Sequence, residues 1–232
     1  MNALLLAALT LQSEPPILPG KLNLRTGDVI VGTNRQLFSD KAKQIDFELK
    51  NRVTLRVNDL TTREGSSNWT FKHEISNTFL RMDDFVQENQ KGNDPSTATE
   101  LRNVFGHQVR YDYIGDDAIN NMIINRLMSI PLPRKALKIG GKWTYSYDGF
   151  KEYTFSGHYV DHESGKPLIR FTWAGIESPK FFAEGTALID IATGLPTRIN
   201  LTAKNVNIPG GELGVAQSMK FDYAMTSLKR AR

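Results

Sequence analysis

The chain has 232 residues, 40% of them hydrophobic and 23% charged; this composition excludes wholesale disorder, and the length suffices to bury a core without a metal or disulfide. It contains no cysteine, which removes thiol catalysis, zinc–thiolate sites and iron–sulfur clusters. The net charge of +4 is spread along the chain apart from a basic tail at Lys229, Arg230 and Arg232, so no concentrated stripe marks a nucleic-acid binder, and a weak attraction to an anionic membrane surface fits better.

Ala3 to Leu11 (ALLLAALTL) is apolar or small throughout except for Thr10. It has the length of a signal-peptide hydrophobic region and is too short to span a bilayer. Ser13, Glu14, Pro15 and Pro16 form the polar break that follows a leader. No Lys or Arg precedes the run and no A-x-A follows it, so a first helix or strand is the alternative. Residues 1–14 are expected to be a signal-like leader of an exported bacterial protein, and 15–232 a single β-rich domain.

Period-2 alternation dominates after residue 20. Leu22 and Leu24, then Val29 and Val31, suggest an opening strand pair broken at Thr26 and Gly27. Ile45, Phe47 and Leu49 alternate with polar residues, as do Val53, Leu55 and Val57. Trp69, Phe71, Ile75 and Phe79 continue, with breaks expected at Gly65 and Asn77. Residues 87–99 read as a polar loop or hinge containing Gly92 and Pro95. Beyond it, Val109/Tyr111/Tyr113, Trp143/Tyr145/Tyr147, Tyr153/Phe155/Tyr159 and Ile169/Phe171/Trp173 each share a strand face, followed by Met219/Phe221/Tyr223/Met225. Turns between them imply an antiparallel meander, with Thr193-Gly194-Leu195-Pro196 as a hairpin turn. One segment departs from the pattern. Asp116 caps an expected helix to about Met128, ahead of Pro131 and Pro133, with Ile119, Met122, Ile123 and Leu127 on one stripe. It is apolar on more than one side, as either a buried helix or a lid over a cavity is.

The usual constellations of an enzyme are missing. His158 and His162 have the spacing of a helical zinc pair, but Gly157 before them and Ser164-Gly165-Lys166-Pro167 after them place them on a strand. There the rings lie about 13 Å apart, too far to share one metal. His73 and His107 are isolated and read as structural. Asp83-Asp84 and Asp116-Asp117 are adjacent in sequence, so neither is a ready acid/base dyad. There is no G-x-S-x-G, no G-x-G-x-x-G, and Gly140-Gly141-Lys142 runs into Trp143 where a phosphate loop needs Ser or Thr. No cofactor is expected.

What stands out is a set of 22 aromatics (12 Phe, 7 Tyr and 3 Trp), many on one face of successive second-half strands. They suit either the packed core of a β-sandwich or the wall of a concave ligand site. Arg126 falls within the helix stripe. It either snorkels outward or anchors an anionic headgroup. Phe181 and Phe182, after Pro179, are candidates for contact with a membrane or an envelope protein, or one of them tucks into the core.

Two segments carry a resemblance. Leu132-Pro133 through Leu137-Lys138-Ile139-Gly140-Gly141-Lys142-Trp143 reads as a step into a strand. Gly185-Thr186-Ala187-Leu188-Ile189-Asp190 through Thr193-Gly194-Leu195-Pro196 reads as a strand, a D-x-x-T-G-hydrophobic-P turn and a second strand. Over residues 100–226 the chain resembles exported bacterial β proteins that are themselves similar to the periplasmic lipoprotein-carrier superfamily. The resemblance implies an unclosed, curved antiparallel sheet that wraps helices and holds acyl chains in an apolar concavity.

The expected fold is mainly β: a single antiparallel half-barrel or open β-sandwich of about ten strands, with one helix on the concave face. The expected function is extracytoplasmic, periplasmic or secreted, non-enzymatic binding of an apolar or amphipathic ligand such as a lipid. Tyr145, Tyr147, Tyr153, Phe171, Trp173 and Met122 would line the site, with Arg126 near its mouth. A cell-envelope structural or interaction protein with a filled core is the alternative, and a hydrolase a distant third.

Overall fold

The computed structural model describes residues 17–63, 65–82, 84–88, 96–113, 126–146, 153–175, 181–207 and 215–232. Among the described residues there are twelve strands. The first half contributes β1 (Val29–Asp40), β2 (Ile45–Arg63), β3 (Ser66–Met82), β4 (Phe85–Glu88), β5 (Ser96–Asn103) and β6 (Gln108–Tyr113). The second contributes β7 (Lys142–Ser146), β8 (Tyr153–Glu163), β9 (Lys166–Gly175), β10 (Phe182–Ile189), β11 (Pro196–Asn207) and β12 (Val215–Lys229). All belong to one antiparallel sheet in the order β6-β5-β3-β2-β1-β12-β11-β10-β9-β8-β7, with β4 alongside the end of β3. Two meanders, one from each half of the chain, are therefore joined by the pairing of β1 with β12.

The period-2 pattern is what makes these segments strands. Along β1, Ile30, Asn34, Gln36 and Phe38 are buried while Thr33, Arg35 and Ser39 face solvent. The same alternation buries Tyr153, Phe155 and Tyr159 on β8, and Ile169, Phe171 and Trp173 on β9. Several expectations need correction. All twelve strands lie in one sheet, so the open-sandwich alternative is replaced by a half-barrel. Leu22 and Leu24 form no strand: they precede β1 in an extended segment and are buried against the core. Asn77 does not interrupt β3, which absorbs it with a register shift opposite Lys50 and Asn51. The polar stretch 87–99 is not all loop, since Gln87 and Glu88 end β4 and Ser96 to Thr99 open β5; backbone pairing with β3 overrides their polarity. Of the expected 116–128 helix, Arg126–Met128 form a single helical turn and 116–125 lie outside the described residues, as do the proposed leader and residues 89–95.

The sheet curls strongly. Ten strand spacings of about 4.8 Å would separate β6 from β7 by roughly 48 Å if it were flat. Instead the Tyr145 ring of β7 stacks on His107, at the turn into β6, with centroids 5.4 Å apart, and Phe105 lies 6.4 Å away. Among the described residues the two edges approach without hydrogen-bonding to one another, leaving a seam. One end of the half-barrel is closed by non-sheet chain. Leu18 and Leu137 exchange backbone hydrogen bonds of 2.9 and 3.0 Å, and the Leu22 and Asn23 amides donate to Val104 and Thr193 carbonyls. The Thr193–Leu195 turn fits there because Thr193 donates to the Asp190 carboxylate (2.6 Å) and Gly194 adopts a φ of 76°. Beneath it Asp28, fully buried, accepts hydrogen bonds from the Arg25 and Ala231 amides and pairs with Arg230 at 2.6 Å. Arg230 is thus an internal tie rather than part of a free basic tail.

Candidate functional site

The aromatic wall is built by cross-strand register. Phe155 on β8 sits opposite Trp173 on β9, and Gly157 opposite Phe171. The Phe155 ring meets Trp173 edge-on at 4.9 Å and stacks on Phe171 at 5.8 Å. Gly157 has a packing reason: a Cβ there would overlap the indole of Trp143, its partner across β7 and β8. Trp143 in turn donates from Nε1 to the Pro131 carbonyl at 2.9 Å.

That carbonyl belongs to a strap, residues 126–133, that crosses the concave side between the two sheet edges. Leu127 to Pro133 are all buried. The strap is tied to the opposite edge by the Leu132 amide, which donates to the Phe105 carbonyl at 2.6 Å, and by Ser129, whose hydroxyl donates to Glu100 at 3.1 Å. Glu100 is the centre of a dry polar cluster. Gln108 also donates to it (3.1 Å), His73 Nε2 lies 2.7 Å away, and Arg102 forms an ion pair at 2.8 Å while resting on the Phe71 ring. Burial alone would raise this carboxyl. The charges of Arg102 and His73 and their hydrogen bonds outweigh it and bring it down to about 2.

At the Arg126 end of the strap, Arg126, Leu127, Tyr153, Trp173 and Phe181 enclose a cavity. The space open to the centre of a water molecule is about 10 Å³, room for about one water. The Arg126 guanidinium carbon lies 4.9 Å from the Tyr153 ring centroid, and Phe181 meets Tyr153 edge-on at 5.5 Å. Burial and then the charge of Arg126 hold the His107 imidazole down to about 4, so it is neutral at pH 7. Burial raises the Tyr145 phenol, and the nearby Arg134 charge pulls in the opposite direction.

Three of the sequence-derived site residues, Arg126, Tyr153 and Trp173, come together around this cavity. Phe171 belongs to the same wall, buried behind it, while Tyr145 sits at the seam with His107. Met122 and Tyr147 lie outside the described residues. Of the two adjacent aromatics, Phe181 lines the cavity and Phe182 is 36% exposed at the start of β10. His158 and His162 both lie on β8, at strand spacing. Among the described residues no group of three or more His, Asp or Glu side chains could hold a metal ion, and no helix is long and apolar enough to cross a membrane. The Glu100 cluster carried no sequence signal, because its members come from β3, β5, β6 and the strap. No protein-family model matches the chain, and a search of curated proteins found no match.

Proposed function

We propose that the protein is a non-enzymatic, extracytoplasmic binding module for an apolar or amphipathic ligand such as a lipid or acyl chain. The observation that carries this reading is the cavity itself: Leu127, Tyr153, Trp173 and Phe181 supply an apolar lining, and a cation stands at 4.9 Å over one of its rings. An aromatic-walled concavity with few placed polar groups is the usual form of a small-molecule site. One wall, that of Leu127, belongs to the strap rather than to the hydrogen-bonded sheet. An occupant longer than a water molecule displaces Leu127 and leaves the strands in place.

The test is quenching of tryptophan fluorescence by an ω-bromoundecanol probe, since bromine quenches an indole it touches. Saturable quenching is expected, lost in Trp173→Phe and tightened several-fold in Leu127→Ala, which enlarges the cavity. No saturable quenching in either the parent protein or Leu127→Ala overturns the reading.

The water-sized volume favours a second reading, a cell-envelope structural or interaction protein with a filled core. It would meet its partner through Phe182. Phe182→Ser should then abolish association without lowering stability, and unchanged association rejects that surface.

A further inference from the structure

We propose that the closed end of the half-barrel is a docking surface for an anionic lipid bilayer. Three non-sheet segments, 17–28, 131–141 and 190–195, form that end together with residues 229–232. The first segment is held against the second by the Leu18–Leu137 bonds, and so closely that a Cβ on Gly20 would overlap the Lys135 and Ala136 backbone. The Asn23 side chain donates to the Ala192 carbonyl at 3.0 Å, and Arg230 donates to the Asn23 and Ala192 carbonyls at 3.0 and 3.4 Å. A layer tied in this way holds its backbone in place before it meets a partner, so docking has little chain left to order.

Folding gathers onto this layer a charge that is dispersed in the sequence. Lys21 and Arg25 on the first segment, Arg134, Lys135 and Lys138 on the second, and Lys229 and Arg232 beside them are all exposed. Of the carboxylates in the same segments, Asp28 is buried and already matched by Arg230 at 2.6 Å. Asp190 alone is left against those seven cations, an excess larger than the +4 of the entire chain. In the flanking β2–β3 and β8–β9 hairpins, Asp59, Glu64, Asp161 and Glu163 stand against Arg63, Lys166 and the neighbouring Arg198, so they take back little of it. Glu163 and Arg198 are paired at 2.7 Å. Alongside the cations, Ile17 (42%), Ile139 (45%) and Ile191 (45%) are exposed. Such apolar side chains gain from the headgroup boundary while Lys and Arg meet the lipid phosphates. The same segments contain no aromatic residue, so nothing there stacks on bases, and a nucleic acid would leave the isoleucines in water. This surface shares no residue with the cavity lining, so either can fail without the other.

The experiment sediments the full chain with sucrose-loaded vesicles of phosphatidylcholine alone or of phosphatidylcholine and phosphatidylglycerol in equal parts. Binding to the mixed vesicles is expected to be about tenfold or more tighter than to phosphatidylcholine, and to weaken as salt rises. Replacing both cations of the second segment, Lys135→Gln with Lys138→Gln, should weaken it by roughly thirtyfold, about fivefold per charge. Ile139→Ser should weaken it several-fold with the charge unchanged. All three positions are exposed, so thermal unfolding should match the parent. The control removes the same charge from the outer face of the sheet, Arg52→Gln with Lys204→Gln, both exposed, and should change binding by less than about threefold. Equal binding to the two vesicle types, no loss in the Lys135/Lys138 variant, or an equal loss in the outer-face control overturns the proposal. Binding of a fluorescent single-stranded oligonucleotide without binding to vesicles assigns the surface to nucleic acid and overturns it as well. Quenching by ω-bromoundecanol in the absence of vesicles reports on the cavity alone, so failure of docking leaves the binding reading standing.

Discussion

Replacing Glu100 by Gln keeps the shape of the side chain and removes one charge from the dry interior. In the native protein this carboxylate is fully buried and faces Arg102 at 2.8 Å and His73 at 2.7 Å, with Gln108 and Ser129 on its other oxygen. Two independent estimates of the cost agree. Breaking a buried ion pair by neutralising one partner costs about 3–5 kcal/mol, because the remaining charge is left uncompensated. A carboxyl lowered from 4.5 to about 2 on folding contributes roughly 3 kcal/mol at neutral pH, at about 1.4 kcal/mol per pH unit. Because the folded-state pKa is depressed, this contribution is complete above the unfolded value near 4.5 and is lost as pH falls toward 2. Urea unfolding at a series of pH values should therefore show Glu100→Gln about 3 kcal/mol less stable than the parent at pH 7, with the gap closing between pH 4.5 and 2. A gap below about 1 kcal/mol at pH 7, or one independent of pH, would refute the reasoning, since typical single hydrogen bonds alone account for only that much. Adding Arg102→Met to Glu100→Gln should recover a large part of the loss, as removal of both members of a buried pair usually does.

Other consequences follow from the packing. Gly157→Ala should cost roughly 2 kcal/mol in thermal or denaturant unfolding, because the new methyl must evict the Trp143 indole and with it the bond to Pro131; in a Trp143→Ala background the same change should cost little. Burial would raise the Asp28 carboxyl, yet hydrogen bonds from the Ala231 and Arg25 amides and from Arg230 hold it below the usual carboxylate range. Asp28→Asn should destabilise by about 2 kcal/mol at neutral pH, and Arg230→Ala should add little to it in a double-mutant cycle; full additivity would show that the two are not coupled. The parent's advantage over Asp28→Asn should fade as pH falls below the ordinary carboxyl value of 3.8.

The parts of the fold legible in the sequence are those fixed by local chemistry. The Thr193–Leu195 turn is read from Asp190, Thr193 and Gly194 because their hydrogen bonds and positive φ are contained within five residues. The aromatic faces of β8 and β9 follow from alternation alone, and the glycine and turn residues around His158 and His162 suffice to choose strand over helix. What the pattern hides is pairing at a distance. β1 carries Asn34 and Gln36 on its buried face, so its alternation runs polar on both sides and looks like no core strand beyond Val31. Leu22 and Leu24 alternate like a strand, but the Leu22 and Asn23 amides donate to the Val104 and Thr193 carbonyls, outside the sheet. His73 looked isolated because Glu100 lies 27 residues away in the chain; only the β3–β5 register and the returning strap bring the cluster together. At the candidate site, Arg126, Tyr153 and Trp173 were readable from residue type and spacing. That one of Phe181 and Phe182 tucks inward was readable too, but not which one, since that depends on where β10 starts relative to Tyr153.

The central claim is that a ligand occupies the space beside Trp173 and Arg126. The most direct measurement is a crystal structure of the full chain with ω-bromoundecanol, its bromine located by anomalous scattering. The bromine is expected among Leu127, Trp173 and Phe181, with Leu127 displaced and the strands in place. Bromine found only on the outer face of the sheet, or a cavity unchanged with Leu127 in place, would contradict it.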